Sequence, residues 1–259
     1  MRASCVLLAL SLSGCGAYRA FVYPAPEGAT RALGVPFEPL AGCAHDGVPV
    51  HGYYLPAPDA EAPVIVLFHG NGETMENRAD LALAMHRRGF GAALVEYRGY
   101  GASRRAPPPD ERGLYLDAAA SIEALVARGI GPDRIVLLGI SLGTGVAAQM
   151  AACGAARALV LVSPFTSLSA EAHYVAPLLP TGWLVPDRFD TLAKAPSIRV
   201  PTLVVHGDAD PLVPFDMGRR LAAAIPHAEL YVVHGGHHND LLRVWRTPIL
   251  DAVAAFVRR

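Results

Sequence analysis

The sequence predicts an α/β fold: a mostly parallel central sheet flanked by helices. Two observations carry this. Unbroken apolar runs such as Val64 to Phe68, Arg134 to Leu138 and Ala158 to Val162 recur along the chain, as expected of strands buried on both faces. Helix-length segments separate them, and that alternation is the mark of a parallel sheet covered on both sides. The chain has 259 residues, 52% of them hydrophobic and 17% charged, enough for one large core in a single domain over residues 35–259.

Taken in order, Asp46-Gly47 between short apolar stretches signals a hairpin whose second strand is Val48 to Leu55. Strands are then expected at Val64 to Phe68, Ala93 to Val95, Arg134 to Leu138, Ala158 to Val162, Thr202 to Val205 and Tyr231 to Val233. The helices expected are Glu73 to Arg88, Leu114 to Arg128, Leu142 to Ala152, Phe215 to Ala224 and Asp240 to Val257. One stretch breaks the rhythm. Residues 164–200 carry several prolines and the aromatics Phe165, Tyr174, Trp183 and Phe189, and read either as a small cap over a site or as a structural crossover.

The N-terminus reads differently. Met1-Arg2 is a short positive start and Ala3 to Leu12 an uncharged apolar run, too short to span a bilayer but suited to a signal peptide. Leu12-Ser13-Gly14-Cys15 follows and resembles the lipobox of bacterial lipoproteins, in which the cysteine takes a lipid. The resemblance implies a signal over residues 1–15, a Pro- and Gly-rich tether over 16–34, and anchoring at Cys15 without a span. Gly16 after the cysteine points to the outer membrane facing the periplasm; a secreted or cytoplasmic protein is the alternative. Of the other cysteines, Cys43 and Cys153 would remain as thiols, and Cys153, inside an apolar run, is expected to be buried and free.

The formal net charge is −1 and basic residues come only in short pairs, so nothing points to nucleic acid as a partner. No Cys/His spacing resembles a zinc site, and neither metal nor organic cofactor is expected.

The chemistry-bearing motif is Gly139-Ile140-Ser141-Leu142-Gly143, directly after one expected strand and before a helix. A serine hydroxyl is a weak nucleophile and has to be presented; a sharp strand-to-helix turn does this, and only small flanking residues tolerate its crowding. A serine-centred triad on such a sheet runs in the order serine, acid, histidine. Asp210 lies in the loop after the Thr202 to Val205 strand, where sites on open α/β sheets form; Asp208 is expected to shape that loop. After Tyr231 to Val233 come His234, His237 and His238. His234, nearest the strand, reads as structural, and of the adjacent His237 and His238 only one can act as base. Asn239 or Asp240 is expected to cap the last helix. Phe68-His69-Gly70-Asn71-Gly72 can supply the main-chain N–H of Asn71 to an oxyanion, with Leu142 giving the second. His69 reads as a buried loop organiser, and Arg98 and Tyr100 as structural.

In order along residues 35–258, Phe68 to Gly72, Tyr97-Arg98-Gly99-Tyr100-Gly101-Ala102-Ser103, Gly139 to Gly143, His206 to Pro214 and His238-Asn239-Asp240 resemble the α/β-hydrolase branch that includes depalmitoylating and lysolipid-cleaving members. The resemblance implies an α/β-hydrolase fold with a small cap insertion. It selects His238 as base, since the catalytic histidine there precedes Asn-Asp. It implies a serine hydrolase acting on a carboxylic ester or thioester of a small or lipid-like acyl substrate, through an acyl-serine. The alternatives are a serine peptidase or amidase on the same triad, and a non-catalytic envelope lipoprotein that only binds. Residues 164–200 are then expected to set acyl-chain preference.

Overall fold

The computed structural model describes residues 19, 22–26, 32–34, 36–178 and 180–259. The expected signal and Cys15 lie outside the described residues, as does most of the stretch read as a tether.

Eight strands form one sheet: β1 (Glu38–Cys43), β2 (Pro49–Leu55), β3 (Val64–Phe68), β4 (Gly91–Val95), β5 (Ile135–Ile140), β6 (Ala158–Val162), β7 (Thr202–Gly207) and β8 (Ala228–Val233). Their spatial order is β1-β2-β4-β3-β5-β6-β7-β8. β1 and β2 form the expected antiparallel hairpin, in which Gly47 takes φ 82°. β2 also runs antiparallel to β4, and all later pairings are parallel.

The parallel strands divide their side chains between two cores with a period of two, as a pleated strand requires. Val64, Val66 and Phe68 face one core, with Leu137, Leu161 and Val146. Ile65 and Leu67 face the other, with Leu138, Val160 and Val253. The first core is covered by α2 (Glu111–Val126), α3 (Leu142–Ala152) and α7 (Phe215–Ala224). The second is covered by α1 (Ala79–His86) and α9 (Arg246–Val257). Each fully buried aliphatic or Phe side chain contributes roughly 1.5–3 kcal/mol, so these two layers make the sheet a rigid platform for its C-terminal loops.

Three helix boundaries differ from the pattern. The segment expected to be helical from Glu73 opens as a 3-10 turn, Met75–Arg78, before α1, because the Glu73 carboxylate is engaged by the Gly70 N–H and by Arg78. α2 starts at Glu111, earlier than periodicity alone places it, because the Asp110 side chain accepts the Gly113 N–H. The last helix is split into α8 (Leu241–Val244) and α9, with Pro248 in the first turn of α9, where its missing N–H breaks no helical bond.

Residues 164–200 hold three short helices, α4 (Leu168–Val175), α5 (Thr181–Leu184) and α6 (Thr191–Lys194). Phe165 and Phe189 are buried in the first core, whereas Tyr174 and Leu178 are exposed, Leu178 at 96%. The insertion is thus anchored by two aromatics and open at its tip; the side chain of Trp183 lies outside the description.

Cys43 and Cys153 are both free, and both are exposed. The buried position expected for Cys153 is therefore corrected. α3 ends at Ala152, so Cys153 sits at the helix terminus beyond the apolar face that its run suggested. Arg98 is structural: buried, it pairs with Asp117 at 2.7 Å and with Asp46 at 2.6 Å, and its N–H is taken by Asp117.

Candidate active site

Ser141 occupies the turn between β5 and α3, with φ 51°. For a residue other than glycine this is strained backbone, held by its surroundings: the Ser141 N–H donates to the Val162 carbonyl at 2.9 Å. The flanking glycines are sterically required. A Cβ on Gly139 would lie 2.4 Å from the Gly143 carbonyl oxygen, and one on Gly143 would lie 2.2 Å from that of Phe68. The turn can therefore be this tight, and this close to the loop after β3, only with glycine at both places.

The structure brings Ser141, His238 and Asp210 together. His238 Nε2 lies 3.0 Å from Ser141 Oγ, and His238 Nδ1 lies 2.8 Å from Asp210 Oδ2. An ionised carboxylate only accepts, so Nδ1 carries the proton and Nε2 is left to accept from the serine hydroxyl. Asp210 is itself fixed: its Oδ1 accepts the N–H groups of Leu212 and Val213, each at 2.9 Å. Burial alone would raise its pKa, but hydrogen bonds from His206, His238 and Val213 hold it well below the usual carboxylate range.

The competing residues fall outside this chain of bonds. Asp208 accepts from His234 Nδ1 at 2.8 Å and from the Gly235 N–H at 2.7 Å, tying the β7 and β8 loops together. His237 is exposed, and its N–H donates to Asp240 Oδ1 at 2.9 Å. Asp240 precedes α8, but its side chain holds the histidine loop instead of capping the helix as expected.

The loop after β3 lies against the serine, with a Cβ on Gly70 falling 3.5 Å from Ser141 Cβ. His69 organises this loop from beneath. It is 1% exposed, with Nε2 2.9 Å from Glu96 and Nδ1 2.8 Å from the Gly70 carbonyl. Leu142 is the first residue of α3, where a helix leaves its N–H groups free for an anion. A cavity of about 220 Å³ opens between the two, lined by Ser141, His238, Asn71, Ser163, Glu73 and Arg78 among others.

Four contributors carried no role in the motif reading. His206 donates from Nε2 to the Val213 carbonyl at 3.0 Å and lies 3.5 Å from Asp210. Glu73 accepts from the Gly70 N–H at 2.6 Å. Glu171 on α4 is half-buried, and burial raises its carboxyl to about 7, against the pull of His238 and with the push of Asp210. Val22 accepts from Asn71 at 2.6 Å across 49 positions of chain. The first two signals were readable as short-range spacing, whereas the last two arise only from tertiary packing.

Among the described residues, no group of three or more His, Cys, Asp or Glu could hold a metal ion. Nor is any helix there long and apolar enough to cross a membrane.

A serine at a strand-to-helix turn of a mostly parallel eight-stranded sheet, bonded to histidine and then to aspartate, defines a hydrolase of the α/β-hydrolase fold. The chain belongs to the family described as serine aminopeptidase, S33, which matches residues 59–192; residues 181–243 match the description alpha/beta hydrolase fold. It is 36% identical over 215 residues to an uncharacterized protein of Mycobacterium tuberculosis, covering 82% of this chain and 76% of that one. It is also 30% identical over 193 residues to the lysophosphatidylserine lipase ABHD12 of Rattus norvegicus, covering 65% of this chain and 47% of the lipase. Among solved structures, the esterase Pf2001 of Pyrococcus furiosus superposes with a TM-score of 0.75 over 91% of this chain and 98% of its own. At 17% identity, that likeness is one of fold.

Proposed function

We propose that the protein hydrolyses a carboxylic ester or thioester through an acyl-serine intermediate, with Ser141 as nucleophile, His238 as base and Asp210 as its orienting acid. The observation that carries this reading is the continuous bond path of 3.0 and 2.8 Å from Ser141 through His238 to Asp210. His238 takes the Ser141 proton as Oγ attacks the acyl carbon. The negative charge on the former carbonyl oxygen falls to the main-chain N–H groups of Asn71 and Leu142. Collapse breaks the bond to the alcohol or thiol, which leaves with the proton from His238. Water then repeats the sequence on the acyl-serine, releasing the acid and restoring the hydroxyl.

The family's description favours a second reading, an aminopeptidase. Against it, such an enzyme needs a carboxylate to receive the substrate's ammonium group, and among the described residues lining the cavity the carboxylate is Glu73, already paired with Arg78 at 2.6 Å. The lipase relative supports an ester of lipid-like character. The two readings separate by comparing p-nitrophenyl acyl esters with aminoacyl p-nitroanilides bearing a free amine. The ester reading expects turnover of the esters and none of the anilides. Esters are the more reactive class, so anilides hydrolysed with an equal kcat/KM would establish the peptidase.

The reading extends to an address: attachment to the outer membrane, facing the periplasm, through a lipid on Cys15. The chain from Cys15 to Val22 reaches at most about 25 Å, which would hold the site near the lipid surface. Cells grown with a radiolabelled fatty acid should yield labelled protein, and no label on the mature chain would remove the anchor.

A further inference from the structure

The loop that carries the proposed oxyanion donor is glycine-rich and has little rigidity of its own. Gly70 and Gly72 flank Asn71, with Gly72 at φ 71°, and glycine fixes backbone less firmly than any other residue. Glu73 holds one end through the Gly70 N–H. The other end is held through the Asn71 side chain, whose Oδ1 accepts from the Tyr100 hydroxyl at 2.8 Å and from the Gly72 N–H at 3.0 Å. Its Nδ2 donates to the Val22 carbonyl at 2.6 Å.

That carbonyl belongs to a stretch expected to be a tether, yet it is pinned to the domain at several points. Tyr23 is 4% exposed and belongs to the core beneath α2. Its N–H donates to the Arg19 carbonyl at 2.7 Å, and Arg19 pairs with Asp110, the cap of α2, at 3.2 Å. Further along, Arg104 donates to the Pro26 carbonyl, and a Cβ on Gly72 would lie 3.9 Å from the Pro24 carbonyl oxygen.

We propose that residues 22–26 form a strap that positions the Asn71 peptide for oxyanion binding. Tyr23 is its anchor and Val22 its point of contact. The inference rests on the ester-hydrolase reading of the site. An oxyanion donor acts on charge that appears only in the transition state, and losing one costs on the order of 10²–10³ in kcat. Releasing the strap leaves the N–H in place but lets it wander, so the effect belongs in kcat and not in substrate binding.

The test uses the full chain with Tyr23→Ala and, as the conservative control, Tyr23→Phe. For a p-nitrophenyl ester, Tyr23→Ala should lower kcat about 10- to 100-fold with KM within about twofold of the parent. It should weaken a trifluoromethyl ketone, which forms the tetrahedral adduct on serine, by the same factor. Tyr23→Phe keeps the ring in the core and should lose clearly less kcat than Tyr23→Ala. Should Tyr23→Ala fail to fold, the double variant Arg19→Ala/Arg104→Ala cuts two pins without touching the core, and should show the same drop in kcat in smaller measure. A folded Tyr23→Ala, or a folded double variant in its place, with parental kcat and inhibitor affinity overturns the strap. A parent without ester turnover would instead defeat the reading on which the strap rests.

Discussion

Replacing Ser141 with alanine should lower kcat/KM for an acyl ester by at least about 10⁴-fold while leaving the protein folded. The magnitude follows from the role: without the hydroxyl no acyl-serine forms, and only oxyanion stabilisation and substrate binding remain. The fold should survive because Ser141 contributes little to either core. Its side chain points into the cavity, while the turn is fixed by the main-chain bond to Val162 and by the packing of Gly139 and Gly143. Relief of the φ 51° strain is not part of the change, since alanine keeps the same backbone. Steady-state kinetics beside thermal unfolding check both halves. An alanine variant retaining more than a few percent of parental turnover would contradict the assignment of the nucleophile.

Asp210→Asn should lower kcat by an amount on the order of 10⁴. The carboxylate accepts from His238 Nδ1 and keeps Nε2 as the acceptor of the serine proton. An asparagine amide can instead donate to Nδ1, which moves the ring proton to Nε2 and turns the base away from its task. The same substitution has a pH signature in stability. The pKa of Asp210 in the folded chain is depressed below its ordinary value of 3.8, so its ionised form stabilises the fold above about pH 3.8. That contribution is lost as pH falls from there through the folded value. The stability gap between parent and Asp210→Asn should therefore be full at neutral pH and shrink as pH drops below about 3.8. Urea unfolding across the acid range measures it, and a gap that widens with acid would reverse the sign.

The platform was legible because its signal is local. β3, β5 and β6 are apolar without interruption, so strand and burial are read together. Gly139 and Gly143 bracket Ser141 for a steric reason that the spacing already states. Helix boundaries at Glu73 and Asp110 were less legible, since they are set by where single side chains find hydrogen-bond partners; the break at Trp245 has no such side-chain cap. Cys153 was misplaced because an apolar run reports the helix it belongs to and not where that helix ends. In the site, chain order pointed to Asp210, but the choice of His238 over His237 came from the Asn-Asp that follows. Spacing could not reveal that Asp240 holds the loop at His237, nor that Val22 reaches the oxyanion loop from a distant segment.

The central claim is that Ser141 is an activated nucleophile. Its most direct test is intact-mass measurement of the folded protein after reaction with a fluorophosphonate, with the adduct mapped by peptide. The account predicts one stoichiometric adduct on Ser141, absent from Ser141→Ala, lost in His238→Ala and retained in His237→Ala. A folded parent that stays unmodified, or an adduct on Ser163 or any other residue, would contradict it.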